Sequence, residues 1–244
     1  MVLRQLTRHP WRTLHSLLLD ASRLTRRFLR PPGVSVVLCG ADGSGKSTAA
    51  AAVTGGLSVT FSSPKVHHFH WKPPLFSSKR RAARGPATDP HGQPARNLVL
   101  SLAYFGFHWL EFFLGSHLRL RPMAFRGGLV LIDRFYYDFF VDQKRYRLCV
   151  PRFLVGLGYL LLKQPDLVVL LDAPAEVLRS RKQEVAPAET TRQRAAYLEL
   201  VRNLRNGRII DATRPPEEVG AAISRAILDF MAERTRQRCG ASQP

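Results

Sequence analysis

The sequence predicts an α/β fold, a doubly wound parallel sheet flanked by helices, on three features. Short, nearly continuous apolar runs recur as strands, helix-forming segments alternate with them, and a glycine-rich turn joins one strand directly to the helix after it. Length agrees, since 244 residues suit one large domain and are too few for two comfortable ones. With 45% apolar and 23% charged residues, the chain has the composition of a folded domain rather than a disordered tail or fibre.

Residues 1–33 form a basic extension and linker. Leu3, Leu6, Trp11, Leu14, Leu18 and Phe28 recur among arginines at approximately helical spacing until Pro31, Pro32 and Gly33 break the pattern. Such a helix either lies on an anionic membrane or acidic partner through residues 1–30, or packs a few leucines on its own domain. The domain proper is expected over 34–232. It opens with a strand at 34–39, a turn at 40–45 and a helix from Lys46 through Val53 that Gly55 and Gly56 should stop. Six prolines scattered over 61–97 predict an irregular insert or acceptor loop. The apolar window 98–118 reads as a buried helix rather than a membrane span, because His108, Glu111 and His117 fall inside it. Strands follow at 128–133, 166–172 and 208–211. Pro215 to Arg225 begins a final helix with Glu217 and Glu218 in its first turn, and 233–244 is expected as a tail.

The formal charge is +19, and arginine supplies 30 of the 37 cations, so an anionic partner is expected. Residues 1–96 hold 15 of those cations against Asp20, Asp42 and Asp89. A nucleic-acid partner is not expected, because the basic run at 79–84 lacks the interleaved aromatics of a single-strand platform. Cys39, Cys149 and Cys239 stand too far apart for a metal site or disulfide framework, which fits a reducing cytosol. Arginines interrupt every N-terminal leucine cluster, so no export signal is expected. A cytoplasmic protein follows, peripheral at the inner membrane face if the extension binds lipid.

Chemistry enters at Gly40-Ala41-Asp42-Gly43-Ser44-Gly45-Lys46-Ser47-Thr48, a G-x-x-x-x-G-K-[ST] pattern set between a predicted strand and a predicted helix. Composition alone produces that pattern in roughly one chain per hundred of this size, and the strand–turn–helix setting lowers the chance further. Gly40, Gly43 and Gly45 let the backbone N–H groups curl inward around phosphate, with Ser44 and Thr48 in the same cradle, while the following helix presents its positive end. Lys46 should reach the β- and γ-phosphates of ATP, and Ser47 should hold Mg²⁺. Asp133 ends an apolar strand at the sheet's carboxyl edge, where a carboxylate either binds Mg²⁺ through water, as the upstream glycine loop favours, or simply caps a loop, and Arg134 follows it.

These motifs, with Ile132-Asp133-Arg134-Phe135-Tyr136-Tyr137, Pro165-Asp166-Leu167, Leu171-Asp172-Ala173-Pro174 and Ile210-Asp211-Ala212, resemble the thymidylate kinases in their order. The likeness covers 34–60 and 125–230. It implies a P-loop NTPase fold and transfer of the γ-phosphoryl group of MgATP to a small-molecule acceptor. It also implies Asp42 near the acceptor's sugar hydroxyl, Arg134 between donor and acceptor phosphates, and Ala212 and Thr213 beside adenine. A lid at about 176–196 would bring Arg181, with Arg179 and Lys182, to the transferring group, and Arg192 and Arg194 are weaker candidates for it. An ordinary solvated helix face is the alternative for Arg179, Arg181 and Lys182. A homodimer is implied as well. Ser44 is not basic, so the loop lacks the extra cation of some members.

The departures concern the acceptor. Where the family carries Arg-Glu-Pro-Gly-Gly, this chain has His67-His68-Phe69-His70-Trp71-Lys72-Pro73-Pro74. An acceptor pocket from His68, His70, Trp71 and Lys72, a metal site, and plain strand-end packing all remain open. Three functions follow: a nucleoside monophosphate kinase, a kinase of a sugar or glycolipid hydroxyl with Asp42 as base, and a nucleotide-binding scaffold with little catalysis.

Overall fold

The structure is a computed structural model that describes residues 10–61, 66–71, 91–183 and 185–240. Leu3, Leu6, the run from Lys72 to Pro74 and the 79–84 basic run lie outside the described residues. Five strands form one parallel sheet: β1 Val34–Cys39, β2 Val66–His70, β3 Leu129–Asp133, β4 Leu167–Asp172 and β5 Gly207–Asp211, in the order β2-β3-β1-β4-β5. β1 is central, with Leu38 paired to Asp133 on one side and Val169 on the other. All six of its residues are buried, which explains the unbroken apolar run, since each buried Val or Leu contributes roughly 1.5–3 kcal/mol. The polar exception, Ser35, is satisfied: its N–H and hydroxyl both donate to Asp166 Oδ2, at 2.8 and 2.7 Å. Asp166 thereby ties β1 to the start of β4.

The helices are α1 Pro10–Leu29, α2 Lys46–Leu57, α3 Leu98–Gly115, α4 Arg121–Phe125, α5 Asp138–Val141, α6 Arg152–Leu160, α7 Ala175–Arg181, α8 Pro187–Arg202 and α9 Pro216–Cys239. One core lies under α2 and α9 and takes Val34, Val36 and Leu38 of β1. The other lies under α3, α6 and α8 and takes Val37 and Cys39. Alternate residues of one strand thus face opposite layers, as the strand period of two requires.

Four boundaries differ from the sequence reading. α2 runs through Gly55 and Gly56 to Leu57, because Leu57 is buried in the α2/α9 core and holds the last turn down. The 61–97 insert contains β2, paired with β3 along its whole length. α9 continues past 232 to Cys239, with Arg234 and Arg238 donating to the carbonyls of Pro31, Pro32 and Gly33. The expected buried helix at 98–118 is buried along one stripe only.

That stripe is unusual in its chemistry. α3 turns Ser101, His108 and Glu111 inward, with His108 Nδ1 3.5 Å from Glu111 Oε2, and leaves Val99, Phe107 and Leu110 exposed. The helical run 98–125 is long and apolar enough to cross a membrane by length and composition, with a third of its apolar window buried. A π-turn at Ser116–Leu120 joins α3 to α4. α1 is held at its C-terminal end, where Arg27 donates to the Phe125 carbonyl and the Arg121 guanidinium lies 4.0 Å over the Phe28 ring. Trp11, Leu14, Leu18 and Leu24 of α1 are exposed.

Candidate nucleotide and phosphoryl-transfer site

The turn between β1 and α2 has the backbone that the glycines predict. Gly43 and Gly45 sit at φ of 85° and 81°, where side chains are strained, and a Cβ on Gly43 would lie 2.2 Å from the Leu178 carbonyl oxygen. Gly45 caps α2 without any side-chain acceptor, so the first-turn N–H groups are presented to an anion. Lys46 folds back over the loop, donating to the carbonyls of Gly40 and Ala41 at 2.9 Å each and to Ser44 Oγ at 3.3 Å. Burial, and after it the charge of Arg134, lowers the Lys46 ammonium to about 8.

Asp133 stands one strand away. Its Oδ2 is 3.4 Å from Ser47 Oγ and 3.3 Å from His70 Nδ1. Its Oδ1 is buried with no hydrogen-bond partner among the described residues. Burial works to raise this carboxyl, but His70, Lys46 and Arg134 together hold it below the usual carboxylate range. A hard-oxygen pair of hydroxyl and ionised carboxylate, with one oxygen unspent, suits Mg²⁺.

Arg134, at φ 63°, is turned across the sheet edge, its N–H donating to the Leu38 carbonyl. The guanidinium bonds Asp42 through Nη2 and Asp138 Oδ2 through Nη1 at 3.3 Å. Burial opposes its charge, and Asp138 and Asp42 outweigh that, holding the group protonated. Arg145, which the sequence reading did not single out, bonds the other oxygen of Asp42 through Nη2 and Asp142 Oδ2 through Nε at 3.3 Å. Asp138 also accepts from the hydroxyls of Tyr146 at 2.9 Å and Tyr197 at 2.7 Å. No local pattern marks Arg145, since it meets Asp42 across 103 residues. Asp138 lies four residues beyond Arg134 at the start of α5, brought to it by the turn at 134–137 rather than by a helix face.

The remaining expectations divide. Ser44, Gly45, Thr48, Arg181, Ala212 and Arg214 line a cleft of about 190 Å³ beside the glycine loop. Thr213 turns away, its N–H and hydroxyl bonding Asp211 Oδ1. Arg181 does not reach toward Asp133; its Nη1 donates to the Ala212 carbonyl at 2.8 Å, because it is placed at the end of α7 facing β5. Arg179 reaches the Val185 carbonyl, Arg192 pairs with Glu189, and Arg194 grips Asp172 at 2.7 and 2.9 Å. The second half of the lid span is helix α8, packed with Tyr197 and Val201 in the core. Of the acceptor-pocket residues, His70 faces Asp133, while Trp71 is buried at φ 71° and stacked on Tyr146 with centroids 4.9 Å apart. Partial desolvation of the His68 imidazole keeps it below the usual range. The three-ligand cluster among the described residues is His91, Asp142 and Glu189, not the strand histidines.

A parallel sheet with β1 central, a glycine loop, a folded-in lysine and a strand-end aspartate define a P-loop protein of the phosphoryl-transfer class. No protein-family model matches the chain. A thymidylate kinase of Thermosynechococcus vestitus is 29% identical over 220 residues, covering 80% of this chain and 87% of the relative. A crystal structure of thymidylate kinase from Ehrlichia chaffeensis superposes with a TM-score of 0.53 at 15% identity, covering 80% of this chain and 99% of that one. The chain is thus a kinase with a thymidylate kinase-like fold.

Proposed function

We propose that the protein transfers the γ-phosphoryl group of MgATP to a nucleoside monophosphate-type acceptor. The observation that carries this reading is the convergence of Arg134 and Arg145 on Asp42, next to the glycine loop and Asp133. Two guanidiniums suit a phosphate-bearing acceptor, and Arg145 supplies the cation that the single arginine of the missing Arg-Glu-Pro-Gly-Gly segment would otherwise have given. Lys46 neutralises the donor phosphates, Arg134 screens donor from acceptor, and the α2 N–H groups hold the oxygens in place. Ser47 and Asp133 would hold Mg²⁺, which supplies charge neutralisation on the phosphates. Arg181 and Ala212 flank the base of the nucleotide. Phosphate attacking phosphate needs no strong general base.

A hydroxyl acceptor at a membrane is the second reading, favoured by the exposed leucine face of α1 beside its arginines. It asks Asp42 to take a proton, yet both oxygens of Asp42 are engaged by guanidiniums. A cytoplasmic location, a domain that runs from Val34 through α9, and self-association through the exposed apolar faces of α3 and α6 belong to the same proposal. Consumption of MgATP against dTMP, other nucleoside monophosphates, sugars and glycolipid heads, with Lys46→Ala as blank, tests the acceptor. ADP release that requires a nucleoside monophosphate supports the first reading, and release raised only by a hydroxyl compound replaces it with the second. Equal flotation with anionic liposomes by full-length protein and by protein beginning at Pro32 removes the membrane contact.

A further inference from the structure

We infer that Asp42 is an internal stand-in for the acceptor's phosphate: it occupies an anion site formed by Arg134 and Arg145, and the acceptor displaces it on binding. The inference rests on the proposed phosphate-bearing acceptor and adds the residue that replaces the missing acceptor arginine.

The argument begins with how the two guanidiniums are held. Each has its own carboxylate behind it, Asp138 for Arg134 and Asp142 for Arg145. Those carboxylates are themselves fixed. Asp138 accepts from Tyr146 and Tyr197, and Asp142 accepts from His91 at 2.9 Å and Gln193 at 3.0 Å. The pair therefore keeps its position and two of its counter-charges without Asp42. Among the described residues Asp42 is the third anion, one oxygen on each guanidinium, and it comes from the glycine loop rather than from the wall that holds the arginines.

Two convergent guanidiniums anchored from behind form a receptor for a tetrahedral oxyanion, which presents more oxygens than a carboxylate does. The four arginines on the lid side are all committed elsewhere: Arg179 to Val185, Arg181 to Ala212, Arg192 to Glu189 and Arg194 to Asp172. Among the described residues Arg145 is the additional cation that reaches this point. It is a binding residue for the acceptor anion, and Asp142 is its positioning residue.

Inorganic phosphate is the probe, because it has no sugar hydroxyl for Asp42 to bind. It is titrated by calorimetry into protein saturated with Mg²⁺ and a non-hydrolysable ATP analogue, which fills the donor phosphate positions. Arg145→Met should weaken phosphate at least tenfold and Arg145→Lys should restore part of the loss, as for a charge-assisted contact. Asp42→Asn should instead tighten phosphate severalfold, since it removes the competing anion. Circular dichroism that shows each variant folded, with the analogue still bound at saturation, confines the effect to this site. Phosphate affinity that falls with Asp42→Asn, or that ignores Arg145→Met, overturns the inference. If the ATP analogue itself gives no heat, the functional reading fails on its own. The same phosphate titrations in a Lys46→Ala background, whose loop lacks its cation, then decide the anion site independently.

Discussion

The donor and acceptor ends of the site are built in different ways. The donor end is contiguous: eight residues from Gly40 to Ser47 supply the cradle, the lysine and the hydroxyl, and the backbone angles of the glycines shape them. The acceptor end is assembled from separate places, with Asp42 from the loop after β1, Arg134 from the end of β3, Arg145 from the turn after α5 and Tyr197 from α8. A contiguous site tolerates change around it. A dispersed site depends on every element that carries one of its parts.

The largest expected effect strikes the donor end alone. Lys46→Ala should lower turnover by roughly 10²–10³-fold or more, read as ADP release, with the fold intact by circular dichroism. Gly43→Ala comes next, because its Cβ would meet the Leu178 carbonyl and its φ is 85°. It should cost about 2–4 kcal/mol in urea denaturation and remove nucleotide binding. At the acceptor end, Tyr197→Phe takes one hydroxyl from buried Asp138 and should cost about 1–2 kcal/mol. It should raise the acceptor KM and leave the ATP KM alone; a rise in both would show that the two ends are not separable.

The smallest effect is a proton. Lys46 in the free protein is lowered to about 8, and bound phosphates favour its charged form. Below that value the lysine is already protonated, so binding takes up nothing there. At pH 9 nucleotide binding should take up most of one proton, and affinity should fall as pH rises above about 8. Calorimetry in buffers of different ionisation enthalpy measures the uptake, and none at pH 9 would mean that the folded-back ammonium is not what the nucleotide meets.

The same contrast explains what was legible in the sequence. β1, the glycine loop and the ends of β3 and β4 follow from runs of neighbouring residues, and the structure has them within a residue. The partners of the lid arginines are not legible, because Arg179, Arg181 and Arg194 look alike in sequence, while the groups they bond, two carbonyls and Asp172, are set by how α7 and α8 pack. α3 was taken as buried because it is apolar, yet its inward stripe holds Ser101, His108 and Glu111. Hydropathy counts residues and does not say which side of a helix the sheet receives. Arg145 carries no periodicity and no motif.

The central place of β1 bears on how the chain is made. β1 leaves the ribosome before either of its neighbours, β3 and β4, so Val34 must wait for Leu129 and Val36 for Leu167. Contacts so far apart in sequence are slow to form, and an unpaired apolar strand is exposed meanwhile. A nascent chain arrested before residue 167 holds the entire glycine loop and still lacks one wall of the strand that supports it. Nucleotide capture should therefore begin only after β4 has emerged, although the glycine loop is translated well before β3 and β4.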